Sequence, residues 1–182
     1  MNKILWVVIG LAIIGGGWWV SSTNTPVPTP SSAVPVQTEN LEKAPAFTLK
    51  DYDGNDVSMS DFTGKIAIIN SWAVWCPFCK KELEDFVELQ KEFGDEIVIV
   101  AIDRAEPLEV AKGFSDTVDP DGDLIFLLDP QDAFYKSIGG FSMPETIFVD
   151  TEGNIRIHKR GPIDLEGMRK NVLSIMELSS QQ

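Results

Sequence analysis

The only two cysteines of this 182-residue chain stand three residues apart, in Trp75-Cys76-Pro77-Phe78-Cys79. An apolar run, Ile66 to Trp72, precedes them and a helical pattern follows. A strand that feeds a Cys-x-x-Cys pair into a helix builds a thiolate site, because the helix N-terminus favours negative charge on the first sulfur. Pro77 suits the first helical position, which makes Cys76 the capping residue, facing unpaired backbone N–H groups. Cys79 then lies one turn further in, within reach of a small disulfide ring. The expected roles are Cys76 as the exposed attacking thiolate and Cys79 as the resolving thiol that breaks the mixed disulfide.

Other uses of the pair are weaker. A staple across so short a loop removes little unfolded-state entropy. A zinc site needs two or more further ligands, and besides carboxylates the chain offers only His158. No metal is therefore expected, and no cofactor beyond the cysteine pair itself. His158, on a late polar strand, is expected to be exposed and inert.

The elements that must position the pair follow from periodicity. Phe47-Thr48-Leu49 and Val57-Ser58-Met59 flank Asp53-Gly54-Asn55, a hairpin signal. Ile66 to Trp72 reads as a strand buried on both faces. A helix is expected from Pro77 to Phe93, with Leu83, Phe86, Val87 and Gln90 on one face and Gly94 as its stop. Strands at 97–102 and 124–128 alternate with helices at 107–115 and 132–138. Two strands, at 146–149 and 155–158, surround Glu152-Gly153-Asn154. Asp164 caps a last helix whose apolar stripe is Leu165, Met168, Val172, Leu173 and Met176. Strands alternating with helices predict an α/β fold with a parallel core, extended by antiparallel strands.

The chain divides into three stretches: 1–20, 21–40 and 41–182. Ile4 to Val20 holds no charge, and at about 1.5 Å per residue it covers ~25 Å of a hydrocarbon core about 30 Å thick. Trp6, Trp18 and Trp19 stand where interfacial anchors belong. The segment is read as an uncleaved single-pass membrane anchor, with a cleaved secretory signal as the competing reading. Lys3 places the N-terminus on the cytoplasmic side, so the domain is expected in the extracytoplasmic space or periplasm. Residues 21–40, with Pro26, Pro28, Pro30 and Pro35, read as an extended tether. The net charge of −13, from 15 basic and 28 acidic residues, would repel phosphate backbones and argues against nucleic-acid binding.

The segment Asn70 to Glu82 resembles the active-site block of thioredoxin-like proteins. More narrowly, it resembles the membrane-anchored thiol–disulfide oxidoreductases of the TlpA, ResA and DsbE (CcmG) type. The similarity runs from about Ala44 to Leu178 and includes Gly140-Phe141-Ser142-Met143-Pro144-Glu145-Thr146, which is similar to the family's Pro-Glu-Thr loop. It implies a thioredoxin-like fold, a central mixed sheet flanked by helices with an N-terminal hairpin extension. By position it makes Pro144 a cis proline facing the disulfide and Met143 a backbone site for strand-like pairing with substrate. Glu82 would be a partly buried acid handling protons near the second thiol, where the residues alone read as a solvent-facing first-turn glutamate. Glu145 also matches a family position beside the proline. Trp75, Pro77 and Phe78 would border the substrate, with Trp72 and Trp75 shielding Cys79 and leaving Cys76 open.

The expected activity is a reductase of protein disulfides, apocytochrome c being the family's precedent, recharged by a membrane thiol donor. The chain is expected to act as a monomer. A disulfide oxidase or isomerase, and an idle thioredoxin-fold binding module, are the alternatives.

Overall fold

A computed structural model describes Val36 and residues 41–180. Its centre is strand β4, Ile66–Trp72, in which every residue is buried. Alternation splits its side chains between two cores: Ile66, Ile68 and Trp72 enter one, Ala67 and Ile69 the other. That is why the sequence reads as an unbroken apolar run rather than as alternation.

Further strands are β1 (Glu42–Lys43), β2 (Thr48–Asp51), β3 (Asp56–Ser58), β5 (Ile97–Arg104), β6 (Ile125–Asp129), β7 (Glu145–Val149) and β8 (Asn154–Arg160). Together with β4 they form one eight-stranded sheet in the order β1-β8-β7-β4-β5-β6-β2-β3. β4, β5 and β6 run parallel; every other pairing is antiparallel. The helices are α1 (Cys79–Phe93), α2 (Leu108–Val118), α3 (Ala133–Ser137) and α4 (Leu165–Ser179). Leu83 and Phe86 of α1, Ala111 and Val118 of α2, and Met168, Val172 and Ile175 of α4 pack on one face. Phe134 and Ile138, in and just after α3, with Phe62, cover the other.

The mixed sheet, the opening hairpin and the order of elements agree with the sequence reading. Three details differ. The two-residue strand β1 pairs with β8 and had no periodic signal, being too short to show one. In α4 the buried stripe runs through Met168, Asn171, Val172 and Ile175, while Leu173 is 56% exposed. At 100° per residue Leu173 turns out of a face centred on Val172 and Ile175. Finally, α1 starts at Cys79 with Phe78 in the capping position, not at Pro77 with Cys76 as the cap. A tight turn, Cys79 N–H to Cys76 O at 3.3 Å, precedes it, and the first helical bond is Glu82 N–H to Phe78 O.

No helix among the described residues is long and apolar enough to cross a membrane. The expected anchor (1–20) and almost all of the tether (21–40) lie outside the described residues.

Candidate active site

β4 ends at Trp72, and residues 73–78 turn the chain into α1 at the C-terminal edge of the parallel strands. Cys76 N–H bonds Ala73 O at 3.1 Å, which folds this loop back over the strand end. Cys76 and Cys79 form a disulfide with 5.4 Å between their Cα atoms. In this oxidised state Cys76 is only 3% exposed and Cys79 is fully buried. The expected open Cys76 is therefore corrected: both sulfurs are tucked against the core, and the residual access belongs to Cys76. Trp72 is buried, stacked on Phe114 and edge-on to Phe126, whereas Trp75 is 63% exposed. Pro77 is also exposed, and Phe78 is 56% exposed.

Glu82 lies one turn beyond Cys79, at the i, i+3 spacing that makes two side chains neighbours on a helix. It is buried rather than solvent-facing. Its Oε2 accepts Asn70 Nδ2–H and its Oε1 accepts Ile163 N–H, each at 2.9 Å. These bonds favour the carboxylate, yet burial outweighs them and pushes the carboxyl up to about 8. Asn70 Nδ2 also donates to Thr146 Oγ1 at 2.9 Å, while Asn70 Oδ1 has no partner. Glu82 is thus bracketed by β4, α1, β7 and the segment before α4. No sequence signal singled out Asn70 or the Ile163 amide, because their role exists only once these elements meet.

The Met143-Pro144 peptide is cis and Pro144 is buried just before β7, whose Glu145 pairs with Ser71 at the end of β4. Met143 is partly buried against the core. Glu145 is fully buried at the start of β7. Its Oε2 accepts the N–H groups of Phe141 (2.8 Å) and Ser142 (3.0 Å), holding the loop that leads into the proline. Its Oε1 meets His158 Nε2 at 2.5 Å and Arg160 Nε at 3.3 Å. His158 is therefore not an inert surface residue; β8 runs beside β7 and brings it diagonally across to Glu145. Tyr135 O–H donates to Ser142 O at 3.0 Å, and Gly161 N–H to Pro144 O at 2.9 Å. A Cβ on Gly140 would come within 2.5 Å of the Tyr135 ring, so this loop requires glycine there. Phe141, missed by sequence reasoning, is 86% exposed at the tip of the same loop. A large apolar residue beside the Pro-Glu-Thr loop was the available signal.

The assembly is a disulfide in a strand-to-helix loop, a protonatable buried carboxyl one turn away, and a proline loop beside it. Such a site can exchange two electrons with another dithiol or disulfide. Among the described residues no group of three or more His, Cys, Asp or Glu side chains could hold a metal ion.

Comparison with known proteins agrees with this chemistry. The Redoxin family matches residues 40–175. The thioredoxin-like protein YneN of Bacillus subtilis (strain 168) is 34% identical over 119 residues, 63% of this chain and 68% of YneN. The thiol:disulfide interchange protein DsbE of Allochromatium vinosum is 30% identical over 139 residues, 73% of each chain. Among solved structures, a thiol:disulfide interchange protein of the thioredoxin family from Chlorobium tepidum TLS superposes with a TM-score of 0.66 at 25% identity, covering 77% of this chain and 99% of that one. The chain belongs to the Redoxin family, and it is a thioredoxin-like thiol–disulfide oxidoreductase of the DsbE type.

Proposed function

We propose that the protein is an extracytoplasmic reductase of protein disulfides, with Cys76 attacking and Cys79 resolving. The observation that carries this reading is Glu82, a buried carboxyl one turn from Cys79 whose proton affinity burial has raised to about 8. Glu82 stands at the i, i+3 position from Cys79 on the same helix, so it is the acid placed to take up and return the Cys79 proton.

In the reduced enzyme the Cys76 thiolate attacks one sulfur of a substrate disulfide. That S–S bond breaks, a Cys76–substrate disulfide forms, and the second substrate sulfur leaves as a thiolate that takes a proton from water. Cys79 then gives its proton to the Glu82 carboxylate and attacks Cys76 Sγ. The mixed disulfide breaks, the remaining substrate thiolate departs, and two electrons have moved from the cysteine pair to the substrate. Recharging runs the same steps backwards: a donor dithiol opens the disulfide at Cys76, and Glu82 returns the proton to Cys79.

Asn70 can serve both states of the acid. As oriented, its N–H2 donates to the Glu82 carboxylate. Turned over, its Oδ1, now without a partner, would accept from the carboxyl O–H and from Thr146 O–H. Trp75, Pro77 and Phe78 would meet the substrate around Cys76, and the Met143 backbone would pair with it as an added strand, in a loop held by Glu145.

The apolar segment 4–20 supports membrane anchoring and export. An exported dithiol needs a membrane thiol donor to stay reduced, and apocytochrome c cysteines are the proposed substrate through the family resemblance. The test is the reduction potential of the Cys76–Cys79 couple. It should lie well below the about −120 mV of a strong oxidant such as DsbA. A value near that of the oxidant overturns the reductase direction.

A further inference from the structure

Two residues before Cys76, the Val74 N–H donates to Glu106 Oε2 at 2.8 Å. This bond ties the redox loop to the connector between β5 and α2, and the chemistry above makes no use of it. The connector is shaped to present the carboxylate. Asp103 Oδ1 accepts Glu106 N–H at 2.9 Å. Ala105, between them, takes a left-handed φ of 62°, a conformation that a non-glycine residue keeps only when its surroundings impose it. Its N–H is fixed on Asp129 O at 3.1 Å.

Asp103 is fully buried at the end of β5, in register with Trp72 of β4. Its Oδ2 is buried and has no N–H or O–H donor, and among the neighbouring side chains Glu106 acts on it most strongly. The other charged or titratable groups around this pair are acidic, neutral or engaged elsewhere. Asp129 of β6 adds a carboxylate. Tyr52, from the hairpin turn, is held neutral by burial. Lys112 of α2 pairs with Asp116 and lies 5.9 Å from the Tyr52 ring centre. Arg104 is engaged with Asp132. Burial first, and the Glu106 carboxyl second, hold the Asp103 carboxyl well above the usual carboxylate range. Glu106 is half-buried and lines a groove of about 700 Å³, which gives a proton on the pair a route to water.

We infer that the proton on the buried Asp103 holds Glu106 in place and, through Val74, positions the redox loop, which makes Glu106 a positioning residue for Cys76. With the proton present, the two carboxyls bond to each other and Glu106 stays under the loop. Once it is lost, two negative groups are in contact; Glu106, the less buried, turns toward the groove and Val74 loses its acceptor. The inference rests on the thiol–disulfide reading of this loop, but not on the direction of electron flow.

The test uses the full chain in its oxidised form, where the cysteines do not titrate. The Val74 amide is followed by NMR across pH. In the parent its shift should titrate above the ordinary carboxylate range, and the titration should persist in Glu82→Gln. It should vanish in Asp103→Asn and also in Glu106→Gln, which sits on a half-exposed connector and keeps an acceptor for Val74. Glu106→Ala should lower the hydrogen-exchange protection of Val74 on the order of tenfold at low pH. It should also change the rate of disulfide reduction by dithiothreitol several-fold there, with both differences closing at high pH. Loss of the titration in Glu82→Gln with its survival in Glu106→Gln overturns the inference. Parent-like protection and reduction rates in Glu106→Ala overturn it equally. An oxidase-like potential would sink the reductase reading and leave every one of these outcomes unchanged.

Discussion

Replacing Glu82 by Gln should flatten the pH dependence of stability in the oxidised protein. The substitution keeps the shape of the side chain. Its amide oxygen can accept from Ile163 N–H, and its N–H2 can donate to Asn70 Oδ1 once that amide turns over. In the parent, burial raises the carboxyl from 4.5 to about 8. That gap corresponds to on the order of 5 kcal/mol against the charged form. The folded protein therefore holds a proton that the unfolded chain gives up. The stabilisation is fully present below pH 4.5 and is lost as pH rises to about 8. Relaxation and water entry reduce the measured effect, so urea unfolding at about pH 5 and about pH 9 should show the parent losing at least ~2 kcal/mol more than Glu82→Gln. Asp103, also raised by burial, leaves a residual slope of the same sign in both proteins. If both lose stability in parallel across the window, Glu82 does not hold the proton, and its place in the exchange chemistry falls with it.

Trp75→Ala, Phe78→Ala and Phe141→Ala remove exposed aromatic surface from the redox loop and from the loop that leads into Pro144. Each should change stability by no more than ~0.5 kcal/mol, raise KM for a protein disulfide, and leave reduction by dithiothreitol unaltered; an unchanged KM in all three removes them from the substrate surface. Glu145→Ala strips the Phe141 and Ser142 amides of their acceptor and leaves His158 and Arg160 without a carboxylate. It should cost about 3 kcal/mol or more, with faster hydrogen exchange at both amides, and parent-like exchange would show that the loop does not depend on it. In α4, Met168→Ala should cost about 2–5 kcal/mol and Leu173→Ala less than ~0.5 kcal/mol in chemical denaturation; equal losses would contradict the placement of the stripe.

What could be read from the sequence was what chain-local patterns encode. The apolar run of β4, the turn glycines and the Asp164 cap on Gly167 N–H specify their elements through neighbours in sequence. The cysteine pair was legible for the same reason, since its place between a strand and a helix is a local fact. Glu82 was legible only through family resemblance; read alone, it is a first-turn glutamate, a type that usually faces water. Its burial depends on Asn70, 12 positions away, and on Ile163, 81 positions away. His158 was misread because a lone histidine on a polar strand carries no trace of the buried carboxylate that the β7–β8 register brings to it. Glu106 likewise becomes notable only when β5 ends beside the redox loop. The boundary of α1 shifted because the Cys76–Cys79 turn takes the backbone bond that an earlier helix start would have used.

Trapping separates the two proposed roles, Cys76 as the attacking thiol and Cys79 as the resolving one. Cys79→Ala, expressed in the native cell and analysed by mass spectrometry after thiol quenching, should accumulate mixed disulfides through Cys76. Cys76→Ala should accumulate few. The reverse pattern, with partners held on Cys79 and none on Cys76, would contradict the assignment.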